Sequence, residues 1–233
     1  MTYAIPCRSL ARIAAFSAVA AMLAACSKSD SATSPTPGLM ITADQSTNAQ
    51  VAPVGTAPAR AIEVHVSDQN GAAIPGAVVT WTVVSHAGTT SVPTSMTDAT
   101  GTASVTWTLD TLARLDSMTA SISSGVKTTI TATGTPGAAT TASKFSGDAQ
   151  TVASGAVSAP LIVMVKDRYG NGVSGIPVAW AVTGGGTLSS SSTLTDASGM
   201  AQVTLHLSTT AGPYTIQATA AALAAVSFHL TGT

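Results

Sequence analysis

The chain has 233 residues, of which 8% are charged, and a formal net charge of −1. That length suits two ordinary domains. With so few cations there is no basic stripe to neutralise phosphates, so nucleic acid is not an expected partner. Both cysteines, Cys7 and Cys26, lie near the N-terminus, which excludes a disulfide framework in the domains that follow.

The chain opens with Arg8 and Arg12 and no acid, then an apolar stretch from Ile13 to Leu23 of about 11 residues. A membrane-spanning helix needs roughly 20 apolar residues, and no later segment supplies such a run. The layout is that of a secretory signal. Its last residues, Leu23-Ala24-Ala25-Cys26, resemble the lipobox of bacterial lipoproteins. The resemblance implies a signal peptide over 1–25, cleavage before Cys26, and covalent lipid on Cys26 as the attachment to a membrane. The competing reading is an ordinary signal whose cysteine is incidental. Each buried lipid methylene contributes roughly 0.8 kcal/mol, so two or more acyl chains hold a protein stably. Ser27 follows the cysteine, and by the same resemblance this favours the outer membrane and the cell surface of the bacterial envelope. Removal of the signal leaves seven basic and ten acidic residues, a net of about −3.

Residues 26–38 are rich in Ser, Thr and Pro and contain almost nothing apolar, so they read as a tether. Beyond them the chain repeats. Asp68-Gln69-Asn70-Gly71 and Asp167-Arg168-Tyr169-Gly170 lie 99 residues apart, as do Trp81 and Trp180. Thr97 to Gly101 recurs as Thr195 to Gly199, and Thr133-Gly134-Thr135 as Thr231-Gly232-Thr233, both 98 residues on. A near-constant offset over four markers predicts two homologous domains, 39–135 and 140–233.

Within each copy the apolar period is two. Ile62, Val64 and Val66 alternate with polar neighbours, and so do Val79, Trp81 and Val83, then Ala103, Val105, Trp107 and Leu109. The second copy repeats this with Val178, Trp180 and Val182, then Ala201 to Leu207, then Val226, Phe228 and Leu230. Such alternation marks strands with one buried and one wet face. Asp-x-x-Gly turns separate them, and short strands with frequent turns predict an all-β fold of tandem sandwiches. Trp81 and Trp180 take inward positions and are expected between the sheets as structural core. Ala218 to Ala225 is alanine-rich, but alignment with Ser121 to Lys127 predicts a turn.

The span Asp167 to Trp180, with Gly184-Gly185-Gly186-Thr187 and the Thr195 to Gly199 turn, resembles bacterial Ig-like domains of the Big-1 type, the modules stacked in intimin and invasin. The first copy departs at Ser85-His86-Ala87-Gly88, where the glycine run falls in the second. The resemblance implies a fold and a surface setting, adhesion or spacing, and it implies no particular ligand.

A search for chemistry finds little. His65, His206 and His229 fall on outward positions and His86 in a loop, none with a second ligand at metal spacing. Each Asp-x-x-Gly turn offers one acid, too few for a calcium loop. Gly184-Gly185-Gly186 is followed by no Lys, unlike a phosphate loop. Gly172-Val173-Ser174-Gly175 falls one residue short of a nucleophile elbow, and no His-Asp pair stands ready for a serine. The expectation is a protein with no enzymatic activity, metal or cofactor apart from the lipid. Its contacts, with a protein or carbohydrate ligand, are expected at the outer end of the second domain, through Gly184, Gly185, Gly186 and Tyr214. Tyr169 and Tyr214 read either as exposed anchors or as packing residues. The alternative is a periplasmic accessory subunit that docks to an envelope complex by edge-strand pairing.

Overall fold

Alternating apolar residues bury one face of each strand, and in this chain they do so twice. The computed structural model describes residues 38–84 and 87–233. The first module holds β1 (Met40–Ala43), β2 (Gln50–Pro53), β3 (Ile62–Ser67), β4 (Val78–Val83), β5 (Thr89–Thr90), β6 (Thr94–Met96), β7 (Thr102–Val105), β8 (Trp107–Thr108), β9 (Leu115–Ile122) and β10 (Lys127–Thr135). The second holds β11 (Ala139–Ser146), β12 (Gln150–Val152), β13 (Leu161–Asp167), β14 (Pro177–Thr183), β15 (Thr187–Leu188), β16 (Ser192–Leu194), β17 (Met200–Val203), β18 (Leu205–His206), β19 (Gly212–Ala220) and β20 (Val226–Gly232).

The strand order is the same in both. A three-stranded sheet, β1-β3-β7 or β11-β13-β17, faces a five-stranded sheet, β2-β10-β9-β4-β6 or β12-β20-β19-β14-β16. A two-stranded ribbon, β5-β8 or β15-β18, completes each module. The short strands β2 and β12 run parallel to their neighbours β10 and β20, and the other pairings are antiparallel. The fold is all-β, in two tandem sandwiches. No helix among the described residues is long and apolar enough to cross a membrane.

Each module has its own core. In β3 the residues Ile62, Val64 and Val66 are buried and alternate with half-buried neighbours, as period-two patterning demands. Trp81 and Trp180 are each 4% exposed and lie opposite small partners, Ala120 and Ala218, across the neighbouring strand. The alanines leave room for the indoles, whose N–H groups donate to Ser95 Oγ at 2.9 Å and Thr193 Oγ1 at 2.8 Å. An indole removes roughly 150–250 Å² from water, worth a few kcal/mol at about 25 cal/mol per Å².

The expected turn over Ala218 to Ala225 is shorter than the alignment suggests. Strand β19 continues through Ala220, because Ala218 and Ala220 are buried against Trp180 and Val178, and only residues 221–225 form the connection. Tertiary burial overrides the helical preference of alanine here.

The four Asp-x-x-Gly segments are hydrogen-bonded β-turns. The N–H of Gly71, Gly101, Gly170 and Gly199 donates to the carbonyl of Asp68, Asp98, Asp167 and Asp196 respectively, at 2.9–3.1 Å. Each carboxylate then caps its own turn: Asp98 Oδ1 accepts the N–H of Thr100 at 2.8 Å and of Thr102 at 3.0 Å. The Ala72 and Asn70 N–H groups hold the Asp68 carboxyl below the usual carboxylate range, and the Thr100 hydroxyl with the Thr102 and Thr100 N–H groups does the same for Asp98.

Candidate functional site

The residues singled out in the sequence do not converge. Cys26 and His86 lie outside the described residues. Gly184, Gly185 and Gly186 form the connection between β14 and β15 with positive φ at all three. A Cβ on Gly184 would stand 2.4 Å from the Pro213 carbonyl and one on Gly186 2.6 Å from the His206 carbonyl, so this loop is packed tightly onto its neighbours.

Of the two readings open for Tyr214, exposed anchor or packing residue, the structure shows the second, because its side chain is 1% exposed. Its hydroxyl donates to the Thr210 carbonyl at 2.9 Å and shares a hydrogen bond with Ser208 Oγ at 2.7 Å. The ring closes one end of the second core and ties down the loop before β19. It is a packing residue, and the contact surface at that end is left to the surrounding backbone.

The histidines stay apart. His206 is in the β15-β18 ribbon and His229 in the five-stranded sheet, both exposed. His65 is better held than an outward strand position suggests: its Nε2 lies 3.1 Å from Asp44 Oδ2 and its Nδ1 3.0 Å from Thr102 Oγ1. Ser46 and His65 together drive the Asp44 carboxyl far below its ordinary value. This acid–imidazole–hydroxyl chain stitches three strands of one exposed sheet. The amide donors of Thr100 and Thr102 beside it are committed to Asp98. Among the described residues no three His, Cys, Asp or Glu side chains gather as metal ligands.

What the structure does bring together is a joint between the modules. Asn171 sits in the turn after β13, and its amide reaches across to the first module. Oδ1 accepts the Ala113 N–H at 3.0 Å and Nδ2 donates to the Thr111 carbonyl at 2.8 Å. Nδ2 also donates to Asp167 Oδ2 at 2.9 Å, and the same oxygen accepts the N–H of Gly137 from the inter-module segment at 2.9 Å. Burial pushes the Asp167 carboxyl up, but hydrogen bonds from the Asn171 side chain and from the N–H groups of Gly137, Asn171 and Tyr169 outweigh it and hold it low.

Tyr169 completes the joint. Its ring stands against Gly55, where a Cβ would come within 2.5 Å of the hydroxyl. Gly55 is therefore required twice, by that contact and by its φ of 71°. Arg168 lies over the Tyr169 ring at 4.4 Å from the centroid. Pro53, Val54, Gly137 and Ala138 line a crevice of about 230 Å³ beside it.

The sequence reading missed Asn171 altogether. The one signal was a difference between the copies: Asp167-Arg168-Tyr169-Gly170-Asn171 carries Tyr and Asn where Asp68-Gln69-Asn70-Gly71-Ala72 carries Asn and Ala.

Two facing sheets with this strand order, with a buried tryptophan on β4 or β14 between them, define an immunoglobulin-like sandwich. Residues 142–231, within the second module, match the family Bacterial Ig-like domain (group 1), and the first module repeats the strand order of the second. The chain is similar in fold to InvD of Yersinia pseudotuberculosis, at 19% identity and a TM-score of 0.54, over 84% of this chain and 57% of that one. It is also similar to the D0-D1 domain of intimin, at 25% identity and a TM-score of 0.31, over 82% of this chain and 94% of that one. The Escherichia coli adhesin FdeC aligns at 16% identity and a TM-score of 0.46, over 82% of this chain and 63% of that one. No curated protein sequence matches the chain.

Proposed function

We propose that this chain is a lipid-anchored bacterial surface protein, without enzymatic activity, whose two Ig-like modules form a stiff stalk that presents the outer end of the second module to a protein or carbohydrate ligand. The joint is the observation that supports it. Asn171, Asp167 and Tyr169 bind the second module's entry turn to the first module's exit loops at several points, and a joint held at several points transmits orientation where a bare linker would not. Cys26 would carry the lipid, as its lipobox resemblance implies, and residues 26–38 would lift the pair from the membrane.

The test is protease treatment of intact cells, with mass analysis of the released fragment and of the retained N-terminal peptide. A released two-module fragment and a lipid-modified peptide beginning at Cys26 are expected. An intact chain with an unmodified N-terminus refutes the reading. A second reading, a periplasmic subunit docking through an edge strand, draws on Met96 and Leu194, each 66% exposed at the same place on β6 and β16. It predicts full protection from external protease and a stable co-purifying protein.

A further inference from the structure

The outer end of the second module repeats, bond for bond, the end of the first module that receives the joint. In the first, Gly55 N–H donates to the Asp110 carbonyl at 2.8 Å, Leu109 N–H to Thr56 at 3.0 Å and Val54 N–H to Thr135 at 2.9 Å. In the second, Gly155 donates to Ser208 at 2.9 Å, Leu207 to Ala156 at 2.9 Å and Ser154 to Thr233 at 2.8 Å. Gly155 has a φ of 76° against 71° for Gly55. Along the same alignment Thr209 and Ala211 stand where Thr111 and Ala113 meet Asn171. Among the described residues the Ala211 N–H and Thr209 carbonyl have no hydrogen-bond partner, and Ser154 Oγ is buried without one.

We infer that this end is a preformed socket for another Ig-like module, one that presents an entry turn of the Asp-x-Tyr-Gly-Asn kind. The tyrosine ring would stand on Gly155, and the asparagine amide would bridge the Ala211 N–H and the Thr209 carbonyl, as Tyr169 and Asn171 do one module earlier. A second copy of this chain is a poor occupant. Its first module offers Asn70 and Ala72 at those two positions, and its own Tyr169 and Asn171 are already engaged. The inference names the partner class for the contact end proposed above and rests on that reading. Its test is done on purified protein, so failure of the cell-surface placement leaves the result unchanged.

The full chain supplies the probe. Asn70→Tyr with Ala72→Asn puts the missing plug on the first module, so that one molecule carries a free plug and a free socket. Sedimentation should show concentration-dependent head-to-tail association for this variant and a monomer for the unaltered chain. Amide resonances of Gly155 and Ala211 should shift along the same series. Adding Gly155→Ala places a methyl where the ring must stand and should weaken association at least about tenfold. Ala211→Pro, which deletes the donor, should do the same if Gly155→Ala disturbs the fold. A variant that stays monomeric with Gly155 and Ala211 unshifted overturns the inference. So does association that neither socket change weakens.

Discussion

The first module places Trp107, Asp116 and Ile130 where the second places Leu205, Tyr214 and Phe228. The backbones agree, yet the two cores close differently at the end nearest the β8-β9 or β18-β19 connection. In the second module Tyr214 fills the space and pays its polar debt through Ser208 and Thr210. In the first, Trp107 is 1% exposed with its indole N–H on the Ala87 carbonyl, and the position of Tyr214 is taken by a buried carboxylate. Asp116 Oδ1 accepts Arg114 Nε at 3.2 Å, and Arg114 also pairs with Asp110 at 2.6 Å. Asp116 Oδ2 has no hydrogen-bond partner and the residue lines a small cavity of about 170 Å³. One sandwich end is thus closed by an aromatic ring with a satisfied hydroxyl, the other by an indole and an ion pair. The fold specifies that the gap be filled and leaves the chemistry of the filling open.

Exchanging the fillings gives the largest expected effect. Tyr214→Asp puts a buried carboxylate where Gly212 replaces the arginine, so it both empties the core and strands a charge. The second module should lose about 5 kcal/mol or more, read as early unfolding of that module in denaturant. Next come the two inward tryptophans. Trp180→Ala should cost about 3–5 kcal/mol. Trp81→Ala should cost about 1 kcal/mol less, since Trp180 also loses its ring contact with Phe228 at 6.2 Å between centroids. Equal losses would show that this contact adds nothing, and a loss under about 1 kcal/mol at either site would contradict the register.

Those two tryptophans, the repeat and the strand registers were legible in the sequence because alternation and offset are properties of neighbouring residues. Tyr214 was not. It follows Gly212-Pro213, which reads as a turn, and only the pairing of β19 with β20 shows that the strand has already begun there and turns the ring inward. The Asp116–Arg114 pair was hidden for the opposite reason, since an acid in an alternating strand reads as solvent-facing. Asn171 bonds to residues 58 and 60 positions away, a relation that no local pattern carries. The close packing of Gly184 and Gly186 against the Pro213 and His206 carbonyls is again tertiary.

A smaller effect is expected at the joint. Asn171→Ala removes two hydrogen bonds to the first module, each worth about 1 kcal/mol. Each module should keep its own denaturation midpoint to within about 1 kcal/mol, while scattering in solution broadens toward a flexible pair. A large loss of stability in either core would mean that Asn171 supports a module and not the link.

Acid should act on both modules. The carboxyls of Asp44, Asp68, Asp98, Asp148 and Asp167 are all held below their ordinary values. The unfolded chain therefore binds protons first as pH falls, so these groups contribute stability above about pH 4. That contribution drains away as pH drops through their lower folded values. Denaturant midpoints should be flat from about pH 7 to 5 and decline below about pH 4. A midpoint that rises in acid would reverse the sign of the account. Because Asp167 also holds Gly137, the joint should loosen over the same interval.

The most direct measurement is the alignment of the two modules in a weakly ordered medium, from residual dipolar couplings fitted to each sandwich separately. A joint held by Asn171, Asp167 and Tyr169 predicts one shared alignment tensor for both modules of the unaltered chain. Two tensors of clearly different magnitude would show that the modules move independently, and the stalk would lose its physical basis.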